Sequence, residues 1–378
     1  MYDLIINIFN YIAPFLVVLT LLVFVHEMGH YLVARMNSVK VEVFSIGFGP
    51  ELFGLNDRYG TRWKLSIIPL GGYVKFLGDM GPASMPDKNK LNNNSDNYQS
   101  MFHNKSIFQR ISVVFAGPLA NFIFAILIFT FIFSVYGKPF SVPVINEILP
   151  NSSAQIFGLK ENDKVLSIGN EKIKSFEDLR NIVQMNPNNK LKFSILRGKK
   201  VFDIYVTPKL VEIEDNFGNK YKIGQLGIKS SQTEYLKLGF VSSLIFSFEQ
   251  TYTVIKISLL AVKQIILGDR GTDELAGIIG IAKMTGDVAQ ISIIAVLQLM
   301  AFLSISLGLV NLFPIPMLDG GHLLFYFFEA ILGRPLSIKV QEFGMKLGFI
   351  IVIFLFLLTT FNDLSRVNFF NSIYRMFS

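Results

Sequence analysis

The sequence predicts a polytopic α-helical membrane protein of about four transmembrane helices, with a membrane-associated β-loop and one small α+β domain. Three observations carry that prediction. Residues 4–25, 111–136 and 288–318 contain no charged residue, and each stretch exceeds the roughly 20 residues needed to cross hydrocarbon. Hydrophobic residues fill 51% of the 378 positions and charged ones 17%, well below the roughly 25% charge of soluble domains. Residues 143–208 break the apolar pattern with short alternating runs and turn residues.

The first stretch lacks a basic segment before it and a small-residue cleavage site after it, so it reads as a retained span. From Arg35 to Lys105 the chain carries nine Lys and Arg, and none precedes Arg35. The positive-inside rule puts this loop in the cytoplasm and the N-terminus outside. Within it, residues 39–46 and 63–76 alternate like strands, with Gly47, Gly49, Gly71 and Gly72 at the bends. Residues 80–100 are rich in Asn, Asp, Lys and Ser and read as a flexible excursion. The second and third spans follow, and residues 347–362 form a fourth, extended past Lys346 by 343–345 because the lysine stem can snorkel. Residues 235–267 are apolar, but Lys237, Glu249, Lys256 and Lys263 recur on a wet face, which suits a helix lying in the interface.

The soluble interval has strand-like runs at 144–149, 164–168, 191–196 and 202–206 around a helical pattern at 176–184. Ser175 with Glu177 and Asp178 marks that helix's start. The domain boundaries are 1–136 for the N-terminal membrane part, 138–232 for the soluble domain, 233–287 for a juxtamembrane region and 288–378 for the C-terminal membrane part. A net charge of +7 in such a chain marks cytoplasmic loops rather than a nucleic-acid partner. Zero cysteines exclude disulfides, thiol nucleophiles and Cys-ligated metal.

Any metal must therefore sit on His, Asp or Glu. His26-Glu27-Met28-Gly29-His30 has the spacing that puts two imidazoles on one helical face to hold zinc, with Glu27 placed as general base. The motif lies nine residues inside Arg35, at a depth where ionisable groups are costly and mark function. A catalytic zinc normally has three protein ligands. Asp319 and His322 compete for the third place, after a segment broken by Pro314 and Pro316. A carboxylate lowers the site's net charge, and Gly320-Gly321 are free to turn the chain away before His322. His103 reads as an exposed loop residue and Gly277–Gly280 as a turn or helix junction. Asn121 reads as satisfying backbone groups at a helix break or pairing across helices.

His26-Glu27-xx-His30 with Asn311-xx-Pro314-xxxx-Asp319-Gly320 resembles the site-2 protease family of intramembrane zinc metalloproteases. Gly47-Phe48-Gly49-Pro50, Pro69-Leu70-Gly71-Gly72-Tyr73-Val74-Lys75 and Gly117-Pro118-xx-Asn121 resemble its bacterial RseP-type branch. The soluble interval resembles one permuted PDZ domain, with Asn162-Asp163 where Gly-Asp is usual. The resemblance implies zinc on His26, His30 and Asp319, with Glu27 as the base. It implies substrate positioning by Asn311, Pro314, Gly71, Gly72 and Asn121, and a membrane-reentrant β-structure at 47–50 and 69–75. The implied activity is cleavage of transmembrane segments of single-pass proteins, such as anti-sigma factors trimmed first outside, or of remnant signal peptides. The implied place is a bacterial inner membrane, with lipid as solvent and both termini and the PDZ-like domain outside. The alternative is a catalytically silent scaffold that binds membrane peptides through that domain.

Overall fold

A computed structural model describes residues 2–79, 98–214, 220–230, 233–268, 271–272 and 275–366. The expected excursion at 80–100 lies almost wholly outside them. The chain forms two compact units, one of Met1–Thr130, Leu244–Lys263 and Gly271–Ser378, the other of Phe131–Ser243 and Gln264–Arg270.

In the first unit, helix α1 (Tyr2–Met36) runs beyond the uncharged stretch and carries the His-Glu-x-x-His segment in its last third. Strands β1 (Val41–Asn56) and β2 (Arg62–Phe76) form a long antiparallel hairpin with several bulges. Both strands extend further than the alternation implied, because Gly47 and Gly49 adopt the left-handed backbone that lets β1 bend without ending. Helix α2 (Ile107–Val135) keeps Pro118 inside it. Tyr31, Ala34, Val41, Phe44, Val74, Phe76, Val113 and Tyr326 pack into one core that joins α1, the hairpin and α2.

The second unit is built on strands β3 (Lys138–Ser141), β4 (Glu147–Ile148), β5 (Lys164–Ile168), β6 (Glu171–Lys172), β7 (Leu191–Arg197) and β8 (Lys200–Val206). Helices α3 (Ser153–Ile156) and α4 (Phe176–Met185) interrupt them. Strands β9 (Lys209–Glu214), β10 (Lys220–Gln225), β11 (Ile228–Lys229) and β12 (Thr233–Leu236) complete the unit. A four-stranded antiparallel sheet has the order β6-β5-β7-β8, and β4–β11, β9–β10 and β3–β12 are separate pairs. Helix α4 starts where Ser175 predicted, with a reciprocal capping box between Ser175 and Asp178. Asn162 is left-handed, which accounts for an Asn where Gly is usual, since both tolerate that backbone. Asp163 is wholly buried and receives Arg197 through two 2.7 Å contacts. The run 144–149 yields only the two-residue β4, with Val144 making a single bridge to Lys164.

The chain continues through α5 (Phe240–Leu267), α6 (Ile278–Ile291), α7 (Ile293–Leu312), α8 (Asp319–Leu332) and α9 (Ile338–Arg366). The third apolar stretch is thus not one helix. Ser292 interrupts it by capping α7, its hydroxyl accepting the Ala295 amide at 3.1 Å, and the proline segment ends α7 at Leu312. Gly277–Gly280 is a helix junction, as read: Asp363 accepts the Gly277 and Gly280 amides at the start of α6. Among the described residues, five helices, α1, α2, α5, α7 and α9, are long and apolar enough to cross a membrane. That set is compatible with a polytopic membrane protein containing some sheet.

Candidate metal centre

Helical spacing brings His26 and His30 together on α1, their rings edge to face with centroids 4.8 Å apart. Both are buried, as is Glu27 between them. The third group arrives from a distant part of the chain. After α7 ends, residues 313–318 make a tight return in which Met317 is held at φ +85°, a conformation that costs a side-chain-bearing residue about 1–3 kcal/mol. Helix α8 then begins at Asp319. Gly320 and Gly321 do not turn the chain away. They form the first turn of α8 and pack on the return, where a Cβ on Gly320 would lie 2.2 Å from the Phe313 oxygen and one on Gly321 2.5 Å from that of Ile315. Glycine is needed there for close approach rather than for bending.

Asp319 Oδ2 lies 3.2 Å from His26 Nε2 and 3.5 Å from His30 Nε2, and the two Nε2 atoms are 3.2 Å apart. Tetrahedral zinc with bonds of about 2.0–2.2 Å holds its ligand atoms about 3.3–3.6 Å apart, so the triangle has the size the ion requires. Asp319 Oδ2 is buried without a hydrogen-bond partner. A shared cation would give that unpartnered carboxylate oxygen, and the two imidazole nitrogens beside it, a common partner. The donor set therefore fits zinc. Among the described residues, His26, His30 and Asp319 are the cluster able to hold a metal, and His322 is not part of it.

Helix α2 builds the wall behind the cluster. Gly117 leaves the space the imidazoles need, since a Cβ there would sit 2.3 Å from His30 Nε2 and 2.9 Å from His26 Cε1. One turn earlier, the Val113 carbonyl lies 2.9 Å from His30 Nδ1. One turn later, the Asn121 amide nitrogen lies 3.1 Å from His26 Nδ1. Asn311 reaches the cluster from α7, its Nδ2 3.4 Å from His26 Nε2. Strand β2 comes alongside Glu27, where a Cβ on Gly72 would lie 3.2 Å from Glu27 Cγ. Gly71, at φ +145°, faces the Phe48 ring of β1. Pro314 stands in the return between α7 and α8 and touches none of the three donor atoms by hydrogen bond.

Two supports escaped the sequence reading. A main-chain group, the Val113 carbonyl, leaves no residue-type signal. Arg110 on α2 and Glu329 on α8 form a buried two-pronged pair at 3.0 and 2.5 Å, with the guanidinium 4.8 Å over the Tyr326 ring. It ties the helix that begins with Asp319 to the helix that backs both histidines, and lone ionisable residues beside apolar runs were its available sign. His103 also departs from expectation: it is mostly covered and bonds the buried Asp79 at 3.0 Å, with its ring edge to face with that of Phe102.

The model of peptidase family M50 matches residues 14–355. A protein of Agrobacterium fabrum with the provisional name zinc metalloprotease is 42% identical over 363 residues, 95% of this chain and 96% of its own. One from Rhizobium meliloti, with the same provisional name, is 40% identical over 359 residues, 94% of this chain and 96% of its own. Metalloprotease MmpA of Caulobacter vibrioides is 34% identical over 391 aligned positions, 97% of this chain and 98% of its own.

Proposed function

The chain belongs to peptidase family M50 and is a zinc metalloendopeptidase, and from that premise we propose that it cuts transmembrane segments of single-pass membrane proteins inside the bilayer. The observation that carries this reading is the buried triangle of His26, His30 and Asp319, with Glu27 beside it, on helices apolar enough for the membrane.

Zinc, when bound, supplies Lewis-acid chemistry: it polarises the scissile carbonyl and makes water acidic enough to react near neutral pH. His26, His30 and Asp319 would hold it, the carboxylate bringing the site's charge from +2 to +1. Glu27 takes a proton from the attacking water as the new C–O bond forms. It returns that proton to the amide nitrogen as the C–N bond breaks, so the carboxylate is regenerated. A transmembrane helix hides its carbonyls in its own hydrogen bonds and must be extended to be cut. The β1–β2 hairpin offers a strand edge for this at Gly71–Gly72, next to Glu27. Asn311, whose amide reaches to 3.4 Å from His26 Nε2, would help hold the substrate backbone.

The orientation follows from the positive loop between α1 and α2. With that loop inside, α1 runs inward, α2 runs outward and the insert is outside. Asp319 follows the end of α7 and meets the C-terminal third of α1, so α7 also runs inward. A crossing by α5 would reverse it, and α5 therefore lies on the outer surface, leaving four spans. The insert is read as a PDZ-type domain, supported by its antiparallel sheet, the capped α4 and the left-handed Asn162. It would admit proteins already trimmed outside, anti-sigma factors and remnant signal peptides being the expected classes, in a bacterial inner membrane.

The test is Glu27→Gln. It leaves the ligands untouched, so zinc stoichiometry should be that of wild type while cleavage of a tagged membrane substrate falls about 10²–10⁴-fold. Full zinc with near-wild-type cleavage would refute Glu27 as the base.

A further inference from the structure

We infer that Asn121 is a positioning residue for the metal: its side-chain carbonyl accepts the Nδ1 proton of His26 and so keeps the Nε2 lone pair turned toward zinc. This rests on the assignment of zinc to His26, His30 and Asp319.

Asn121 is wholly buried on α2, one turn beyond Gly117. Its Nδ2 lies 3.1 Å from His26 Nδ1, while its Oδ1 is buried without a hydrogen-bond partner. An amide nitrogen donates and cannot accept. In this arrangement His26 therefore carries its proton on Nε2, where the His30 Nε2 lone pair lies 3.2 Å away. That is the wrong tautomer for a ligand. A ring that binds zinc through Nε2 carries its proton on Nδ1 and needs an acceptor there.

Asn121 supplies one by a half-turn of its amide, which exchanges oxygen for nitrogen in the same volume. The residue's main chain stays tethered meanwhile, its carbonyl accepting the Ser304 hydroxyl at 2.8 Å. Asn311 cannot take this part, because its amide approaches Nε2, on the metal side of the ring. The two histidines thus differ. His30 Nδ1 faces the Val113 main-chain oxygen, which always accepts, whereas His26 depends on the side chain at 121. The position of Asn121 behind the ring also separates this role from the substrate contact that resemblance implies.

The experiment compares zinc affinity, by chelator competition, in the purified full-length wild type and in His26→Ala, Asn121→Leu and Asn121→Asp. Asn121→Leu should bind zinc about 10- to 100-fold more weakly, the usual cost of losing such a partner. Asn121→Asp has the same shape and only acceptors, so it should bind within about threefold of wild type or more tightly, forming a carboxylate–histidine–zinc arrangement. His26→Ala should lose stoichiometric zinc. Wild-type affinity in Asn121→Leu alongside loss in His26→Ala would overturn the positioning role and leave the zinc site standing. Equal weakening in Asn121→Asp and Asn121→Leu would overturn it too, by showing that the amide N–H was the group required. Full zinc in His26→Ala would instead refute the ligand set itself.

Discussion

At the scale of single residues, the sharpest question is why Asp319 rather than His322 is assigned as the third ligand of the proposed site. Imidazole is the commoner zinc ligand, and both residues lie in the first turn of α8. The return at 313–318 decides it by pointing the first residue of α8 at the histidine pair. Asp319→Ala removes the only carboxylate within 3.5 Å of both Nε2 atoms among the described residues. It should lower zinc affinity by more than the roughly 100-fold upper cost of an outer partner and abolish cleavage. His322→Ala should bind zinc within about tenfold of wild type and keep measurable activity. Metal analysis with a cleavage assay reads both, and zinc lost in His322→Ala but kept in Asp319→Ala would overturn the ligand set.

At the scale of elements, the β1–β2 hairpin is held by its turn. Asp57 receives the Tyr59 and Thr61 amides at 2.8 and 2.9 Å, and Trp63 Nε1 and the Tyr31 hydroxyl at 3.0 Å each. Desolvation would raise the Asp57 carboxyl, but those donors outweigh it and hold it down to about 2. A depressed carboxylate contributes stability above the ordinary range near 4 and loses it as pH falls through the folded value. Trp63 is the chain's single tryptophan and stacks on Phe44 at 4.3 Å, so its fluorescence reports the turn. Emission should stay constant from pH 7 to about 4 and change only as pH approaches 2. In Asp57→Asn that change should disappear. A transition centred near pH 4 in the wild type would show that the hydrogen bonds do not hold the carboxylate.

At the scale of the whole molecule, chemistry and topology constrain each other. If His26 and His30 on α1 and Asp319 on α8 hold zinc as proposed, α1 and α7 run the same way through the bilayer, which requires an odd number of crossings between them. The cysteine-free background makes this measurable. Ser106→Cys, exposed just before α2, and Lys199→Cys, exposed at the β7–β8 turn, mark the two sides. In intact cells an impermeant thiol reagent added outside should label Lys199→Cys and spare Ser106→Cys. Labelling of Ser106→Cys alone would invert the orientation, and labelling of neither or both would break the parity that places α5 on the surface.

The sequence by itself determined what is periodic or local. The His-Glu-x-x-His spacing set two imidazoles on one face, Ser175 and Asp178 started α4, and the alternation at 164–168 and 202–206 marked β5 and most of β8. These follow from repeats of 3.6 and 2 residues and from one-turn capping, all contained within a few positions. Only the tertiary structure decided what depends on segments far apart in the chain. Asn311 meets His26 across 285 residues, Arg110 finds Glu329 across 219, and the Val113 carbonyl takes up His30 across 83. It also decided that Gly320 and Gly321 serve close packing rather than a turn, and that Ser292 divides an unbroken apolar run. Apolar residues specify burial without specifying a partner, and a main-chain carbonyl is the same in every residue. Which donors converge at the candidate metal centre therefore depends on how α1, α2 and the α7–α8 return pack together.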